Sequence, residues 1–245
     1  MTDSFRDILD VQLKVSKALL RWSDGRLRNI PELVRKEDPT SKICLVVGCL
    51  AIAREHHKGI VHLVDKDLVG PASGLVGVAT EAFYRGPWLH RCASPVAWEH
   101  FRKDGGIKRK MHNMVEDLRK FQEPREESSP LLPQAWDHIS GLHHAGMSQL
   151  VMTSLISGIH YGLPLRERHS ISILNLGNGI GIQSGVYTGI VVGDDSIVRD
   201  FKEKLAEHQG YHETLQQVFE QFDKDLQSQY PRTIPSPRAK RRRSS

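Results

Sequence analysis

Residues 43–92 read ICLVVGCLAIAREHHKGIVHLVDKDLVGPASGLVGVATEAFYRGPWLHRC, which is the pattern of two long apolar helices joined by a short break. Before it, Asp38 and the proline that follows are typical of a helix start, with a capping acid and a proline in the first turn, and predict a helix over 39–67. The tripeptide VGP at 69–71 interrupts the pattern, and a second helix is predicted over 71–92. So short a connection between two long helices predicts an antiparallel hairpin.

Helices are also predicted on both sides of this hairpin. Residues 4–22 place apolar side chains at helical spacing with charges between them, as in an amphipathic first helix. Further helices are predicted over 95–103, capped by Ser94, and over 107–122, 131–145, 194–208 and 212–229, with loops at 123–130 and 146–165. The chain is therefore expected to be all-α, an antiparallel helical bundle that forms a single domain over residues 1–230 with additional C-terminal helices.

The charge of the chain resides in its C-terminal tail. The net charge is +5, and five basic residues near the C-terminus account for all of it: Arg238, Lys240, Arg241, Arg242 and Arg243. A body of balanced charge argues against a broad surface for duplex DNA. The tail, residues 231–245, has no apolar face to bury and is expected to be disordered. Its basic run has two interpretations. It could serve nuclear targeting or nucleic-acid binding, or it could be a solvated chain end without a specific role.

Cysteine spacing and hydropathy bear on the compartment. The three cysteines include no CxxC pair, so neither a disulfide framework nor a zinc site is expected. The first residues lack the basic and apolar regions of a signal peptide, and no run approaches the roughly 20 apolar residues of a membrane span. The expectation is a soluble cytoplasmic protein with no membrane partner.

A glycine-rich segment at 169–193 admits two interpretations. Its first eight residues, HSISILNL, resemble a β-strand, and glycines follow at 177, 179, 181 and 185. A dinucleotide-binding turn requires GxGxxG between a strand and a helix, whereas the spacing here is GxGxGxxxG within a helical context. The alternative is that the glycines let helices pack closely.

A metal site in the bundle is a further hypothesis, because such sites draw acids and histidines from facing helices. The residues that suggest it are Glu55, His56, His57 and His62, with Glu81, His90 and His143 as completing ligands. The Glu-x-x-His pairs that are usual in such bundles are missing. A metal-dependent bundle enzyme is therefore kept only as the third hypothesis. The leading hypothesis, given below, needs no metal or other cofactor.

The end of the second predicted helix, YRGPWLHRC at 84–92, carries an arginine and a histidine five residues apart. On a regular helix Arg85 and His90 lie about 140 degrees apart, but Pro87 between them can kink the helix and re-aim His90. Glu81 lies one turn before Arg85 and is expected to pair with it. Such a set suits RNA cleavage, because a guanidinium clamps phosphate and an imidazole moves a proton near neutral pH. No metal is needed, since the RNA 2′-hydroxyl supplies the nucleophile.

The surrounding residues resemble a known superfamily. The block AIAREHHKGIVHLVDKDLVGPASGLVGVATEAFYRGPWLHRCAS, followed by a helix ending in GLHHAGM, is similar to uncharacterised bacterial HEPN-like families. These are related to the HEPN ribonucleases of prokaryotic defence and toxin systems, whose hallmark is R-x4-6-H. The matching positions are Glu81-Ala82, Arg85-Gly86-Pro87-Trp88, and His143 or His144. The chain departs at Gly77-Val78, where the pattern carries an earlier arginine.

This resemblance implies an HEPN-like bundle core over about residues 39–210 and a metal-independent endoribonuclease. It implies a homodimer in which Arg85 and His90 of both chains line a shared cleft. Arg85 would clamp phosphate, and His90 would act as acid or base or position the substrate. His143 or His144 would be a second group for proton transfer or phosphate contact. The partners implied are RNA, a second copy of the chain, and an antitoxin or defence protein.

A non-catalytic interpretation of the same residues stays open. In it, Trp88 and Leu89 fill the core, while Arg85 and Glu81 simply pair. The protein would then be a helical module that binds a nucleotide or a protein partner.

Overall fold

The computed structural model describes residues 2–103, 109–120 and 165–229, and every regular element in these ranges is an α-helix. The helices are α1 (Thr2–Arg26), α2 (Ile30–Val34), α3 (Lys42–Asp65), α4 (Val69–Arg91), α5 (Pro95–Arg102), α6 (Met111–Lys120), α7 (Leu165–Val192) and α8 (Asp195–Gln229). The predicted all-α class is confirmed for this part of the chain. The predicted helix over 131–145, the loops predicted before α7 and the basic tail at 231–245 lie outside the described residues.

The predicted antiparallel hairpin is formed by α3 and α4. Early α3 packs on late α4, since a side chain at Gly86 would stand 3.2 Å from Leu50. Late α3 packs on early α4, where Leu75 lies against Gly59. Asp38 was the predicted cap of α3, and this prediction is wrong. Ser41 caps α3 by accepting a hydrogen bond from the Cys44 amide at 3.3 Å. Asp38 instead accepts from the Thr40 amide at 2.7 Å, which closes a turn before the helix.

The glycine-rich segment belongs to the centre of the bundle. It forms one continuous helix, α7, so the interpretation as a strand followed by a nucleotide-binding turn is wrong. Its glycines recur every four residues and therefore share a face. A methyl group at Gly181 would collide with the His57 imidazole of α3, and one at Gly185 would collide with Phe201 of α8. The glycines thus allow close packing of neighbouring helices, which was the other interpretation of this segment.

Buried polar side chains tie α7 to its neighbours. The His57 ring lies 2.9 Å from Asn178, and the Asn178 amide donates to Ser16 of α1 at 3.0 Å. At one end of α7, His169 lies 2.8 Å from Ser73 of α4. These bonds satisfy polar groups that would otherwise be costly to bury, and they fix the position of α7 against three helices.

A core cluster forms around the last turns of α7. It joins residues from α1 to α3 with residues of α7 and α8, namely Leu27, Ile30, Val47, Ile182, Val186, Ile197 and Phe201. Trp22 packs against the Phe201 ring at 4.7 Å. Asp194 starts α8 by accepting hydrogen bonds from the amides of Ser196 and Ile197. Burial of this cluster packs the region from the end of α1 to α3 against α7 and the start of α8.

The chain divides into two compact units, Met1–Leu205 and Ala206–Ser245, with the boundary inside α8. The predicted pair of helices over 194–208 and 212–229 is wrong, because α8 is one helix with Gly210 in its interior. A single glycine costs about 1 kcal/mol in a helix, which is too little to end one of this length. The predicted extent of a single domain over 1–230 stays a prediction.

Within the described ranges, no helix has the length and apolar character needed to cross a membrane.

Candidate active site at the end of helix α4

The ion pair between Arg85 and Glu81 is formed as predicted. The two residues lie one turn apart on α4, and the Arg85 guanidinium donates to the Glu81 carboxylate at 2.5 Å. The side chains are 39% and 36% exposed, so solvent reaches both. Arg85 also lies near Cys49 of α3, where burial raises the pKa of the thiol and the nearby guanidinium opposes that shift. The charge of Arg85 is therefore held at the seam between the two helices of the hairpin.

His90 is half-buried near the last turn of α4. Desolvation lowers its pKa, and the positive charges of Lys42 and Arg91 lower the pKa further. The ring is consequently neutral at neutral pH, the form in which it can accept a proton. Lys42 is the first residue of α3, so His90 faces the start of the neighbouring helix.

Each member of the predicted pair keeps a buried nitrogen without a hydrogen-bond partner. These atoms are Nε of Arg85 and Nδ1 of His90, neither of which has a partner among the described residues. A buried donor or acceptor without a partner costs about 1–3 kcal/mol, and because neither atom is open to solvent, a ligand would contact these side chains through their other nitrogens.

The structure does not join Arg85 to His90 within one chain. They share no hydrogen bond, and the charges that act on the His90 pKa come from Lys42 and Arg91. Helix α4 remains helical across Pro87, which is buried inside it. Five residues of helix separate the pair by about 7.5 Å along the axis and about 140 degrees around it. Joint action by Arg85 and His90 stays a prediction.

Trp88 and Leu89, which lie between the pair in sequence, are buried in the core. The Trp88 indole N–H donates to Asp117 of α6 at 2.9 Å. Asp117 also accepts two hydrogen bonds from Arg109, at 3.0 and 2.8 Å, and these lower the pKa of its carboxyl group. Through this carboxylate α6 is fastened to the end of α4, a connection that the sequence did not indicate.

Aromatic contacts also hold α4 against α7. Tyr187 of α7 packs edge-on against Phe83 at 6.0 Å, and the Arg91 guanidinium lies 5.6 Å from the centre of the Tyr187 ring. Burial raises the pKa of Tyr84, whose ring contacts Phe83. The last turns of α4 are therefore packed against α7 as well as against α6.

Of the remaining predicted site residues, some lie outside the described part of the chain and the others are on α3. His143 and His144 lie outside the described residues. Of the residues in the metal hypothesis, His57 is in the core and bonded to Asn178, while Glu55 is exposed and pairs with Lys58. In the described ranges, no three His, Cys, Asp or Glu side chains converge as metal ligands.

The contacts that two polar residues of α3 make with α7 were not predicted from the sequence. His57 bridges to Asn178, and Arg54 donates to Thr188 of α7 at 3.0 Å. The signal that could have found them is the four-residue spacing of glycines at 177, 181 and 185, which indicates a close-packed face. The side chain that lies against Gly177 and Gly181 is His57, which is more than 100 positions away in the sequence.

A model of the family described as "Family of unknown function (DUF6988)" matches residues 50–215. No curated protein matches the sequence, and no solved structure matches it. The matched region includes Glu81, Arg85 and His90, together with α7 and its glycines. A relationship to HEPN proteins is not among these findings and stays a prediction.

Proposed function

The chain belongs to the DUF6988 family of unknown function, and from the side chains at the end of α4 we propose that it is a metal-independent endoribonuclease of a bacterial defence or toxin system. The observation that carries the proposal is that an arginine side chain that is 39% exposed and a half-buried imidazole with a lowered pKa lie within two turns of one helix. A phosphate oxygen would accept from the exposed amino groups of the Arg85 guanidinium, and the His90 ring would receive a proton at Nε2 when it is the tautomer protonated at Nδ1.

The chemistry follows from the state of these two groups. Neutral His90 takes the proton of the RNA 2′-hydroxyl, and the 2′-oxygen forms a bond to phosphorus as the bond to the 5′-oxygen breaks. The products are a 2′,3′-cyclic phosphate and a 5′-hydroxyl, whose proton comes from a second acid or from water. His143 or His144 is the candidate for that acid. Arg85 stabilises the negative charge that grows on the phosphate oxygens.

Glu81 has a positioning role in this proposal. Its ion pair holds the Arg85 guanidinium in one orientation, while the partial exposure of Arg85 leaves room for phosphate. A guanidinium has five donor hydrogens, so the pair with Glu81 does not exhaust its capacity.

A second copy of the chain completes the site in this proposal. Because Arg85 and His90 of one chain point in different directions on α4, two copies related by a twofold axis would bring Arg85 of one toward His90 of the other. An antitoxin or defence protein that covers this face would silence the enzyme.

The test is RNA cleavage in the presence of EDTA by the wild type, His90→Ala, Arg85→Ala and a control, His62→Ala. His62 is an exposed histidine in the last turn of α3 and lies outside the proposed site. We expect cleavage by the wild type and by the control, and a loss of at least about a hundredfold for His90→Ala, in the range typical of a general base. Equal cleavage by all four proteins, or by none of them, would sink the proposal.

A non-catalytic binding module is the second candidate. It is favoured by the ion pair itself, because Glu81 already neutralises the charge of Arg85. It predicts a ligand or protein complex that depends on Arg85, with no cleavage of RNA by any variant.

A further inference from the structure

We propose that Lys42 contacts a phosphate of the bound RNA strand beside His90 and is therefore a further substrate-binding residue of the site. This inference rests on the proposed function for the kind of ligand, and it adds the group that holds the strand next to the imidazole. Lys42 is the first residue of α3 and is exposed. It has no part in the proton transfers described above, so its role is binding and not chemistry.

The packing of the hairpin places Lys42 beside His90. At Gly86 of α4, a side chain would stand 3.2 Å from Leu50 and 3.4 Å from the Val46 carbonyl oxygen of α3. Because the two helices run in opposite directions, one turn forward on α4 corresponds to one turn backward on α3. From Gly86 and Val46, that step leads to His90 and Lys42. The two residues therefore lie side by side at the end of the hairpin opposite the connection, in agreement with the effect of the Lys42 charge on the His90 pKa.

Lys42 differs from the arginines of the site in the freedom of its charge. The Arg85 guanidinium is paired with Glu81, and the Arg91 guanidinium lies over the Tyr187 ring. Among the described residues, none forms a hydrogen bond or an ion pair with the Lys42 ammonium. An ammonium group has three donor hydrogens, and phosphate oxygens are the acceptors that lysine contacts in nucleic acids. All three donors of Lys42 are therefore available to a phosphate.

The charge at this end of the hairpin also favours an anion. The amides in the first turn of α3 give the start of the helix a partial positive charge, and Arg91 adds a full one. The carboxylate nearest in sequence is Asp38, which accepts hydrogen bonds from the amide and the hydroxyl of Thr40 at 2.7 and 2.8 Å. These bonds, and to a smaller extent the charge of Arg102, lower the pKa of the Asp38 carboxyl group. A phosphate at Lys42 would thus meet more positive charge than negative charge.

The contact is made within one chain. Because Lys42 and His90 belong to the same chain, a phosphate can bind beside them without the second copy that the proposed activity needs. Lysine binds phosphate as a point charge, and the phosphate backbone is the same for every sequence. Loss of Lys42 should therefore weaken the binding of any RNA strand and change how that binding depends on salt.

The test measures binding of a fluorescein-labelled single-stranded 2′-O-methyl RNA 12-mer by anisotropy, in EDTA, at several salt concentrations. The 2′-O-methyl group removes the nucleophile, so the strand stays intact with the wild-type protein. The variant is Lys42→Ala, and Lys42→Arg tests whether another cation can replace the lysine. The matched control is Lys66→Ala, which removes the same charge from an exposed residue at the other end of α3, about 36 Å away. Circular dichroism checks that the helix content is unchanged.

We expect Lys42→Ala to weaken binding and to reduce the slope of log affinity against log salt concentration by about 0.7, which is the share of one phosphate contact in a single strand. Lys42→Arg should restore the slope, and Lys66→Ala should leave it unchanged. Equal slopes for Lys42→Ala and Lys66→Ala, a slope that Lys42→Arg does not restore, or no binding of the strand by the wild type would overturn the inference.

Failure of this inference and failure of the proposed function give different results. Cleavage of unmodified RNA by the wild type, together with equal slopes for Lys42→Ala and Lys66→Ala, would remove the inference and leave the proposed activity. A slope that falls only in Lys42→Ala, without cleavage of RNA by the wild type, would leave the inference standing and remove the activity.

Discussion

His57 of α3 and Asn178 of α7 form a buried hydrogen bond of 2.9 Å between residues that are 121 positions apart in sequence. The same asparagine donates to Ser16 of α1, so one side chain joins three helices. The His57 ring fills the space that Gly177 and Gly181 leave open on α7. The core of the bundle is therefore specified by a polar contact as well as by apolar packing.

Replacing Asn178 by leucine should destabilise the protein. The substitution leaves the His57 and Ser16 polar groups buried without partners, at a cost of about 1–3 kcal/mol in the free energy of unfolding. Urea denaturation followed by circular dichroism measures the change. Asn29→Ala is the control, because Asn29 is exposed and its side chain makes no cap hydrogen bond. A loss no larger for Asn178→Leu than for the control would contradict this role.

Acid should destabilise the fold through His57. Burial lowers its pKa to about 4, below the value of about 6.5 expected in the unfolded chain. Since the unfolded state then binds the proton more readily, stability is greatest above pH 6.5 and falls as the pH drops from about 6.5 to about 4, by about 3 kcal/mol in total. The free energy of unfolding measured across this range should fall less steeply in His57→Gln, which has no titrating ring. Parallel slopes in the two proteins would rule out His57 as the cause.

Alanine at two glycines should have opposite effects. Gly181→Ala forces a methyl group into the His57 ring, and overpacking of this kind typically costs about 1–3 kcal/mol. Gly25→Ala, where nothing lies within 4 Å, should stabilise α1 by up to about 1 kcal/mol because it reduces the freedom of the unfolded chain. Thermal denaturation of both variants provides the comparison. Similar shifts in the same direction would argue against close packing at Gly181.

Removing the Asp117 carboxylate should loosen α6 from α4. Asp117→Ala leaves the buried Trp88 indole N–H without its acceptor and releases Arg109, at a cost of about 1–2 kcal/mol. Tryptophan fluorescence together with the melting temperature reports the change. Glu116→Ala, an exposed neighbour on the same helix, is the control and should leave both unaltered. Unchanged fluorescence and melting temperature in Asp117→Ala would show that this bond does not hold α6.

The proposed role of His90 predicts a particular dependence of cleavage on pH. Burial and the charges of Lys42 and Arg91 lower the His90 pKa, so its neutral form prevails at neutral pH. If His90 is the base, the rate of RNA cleavage should rise with pH through a value below 6.5 and be level near pH 7. Replacing Lys42 with glutamate should move this rise to higher pH. A rise that stays in place in Lys42→Glu would contradict the assignment of the titrating group to His90.

Part of the candidate site was predictable because it depends on one helix. Glu81 and Arg85 pair because residues four apart on a helix lie side by side, and Ser94 caps α5 because its hydroxyl reaches an amide three residues on. Both contacts follow from helix geometry and the residue types. By contrast, the surroundings of His90 depend on Lys42 and Arg91, and the partner of Trp88 comes from a helix beyond a connection that the sequence left unspecified.

The sequence by itself determined the hairpin of α3 and α4, since two apolar periodic runs joined by a short connection have few other ways to bury their faces. The predicted position of the break is wrong, because Val69, Gly70 and Pro71 form the first turn of α4 and the connection is residues 66–68. Only the tertiary structure decided that the glycine-rich segment is a central helix and not a strand and a turn. Glycine permits several backbone conformations, so its local preference is weak, and helix α7 is selected because α1, α3 and α4 surround it and bury it. The same packing explains why His57, a candidate metal ligand from the sequence, is instead a buried residue that bonds to α7. Its neighbours in space, such as Asn178, are far away in the sequence.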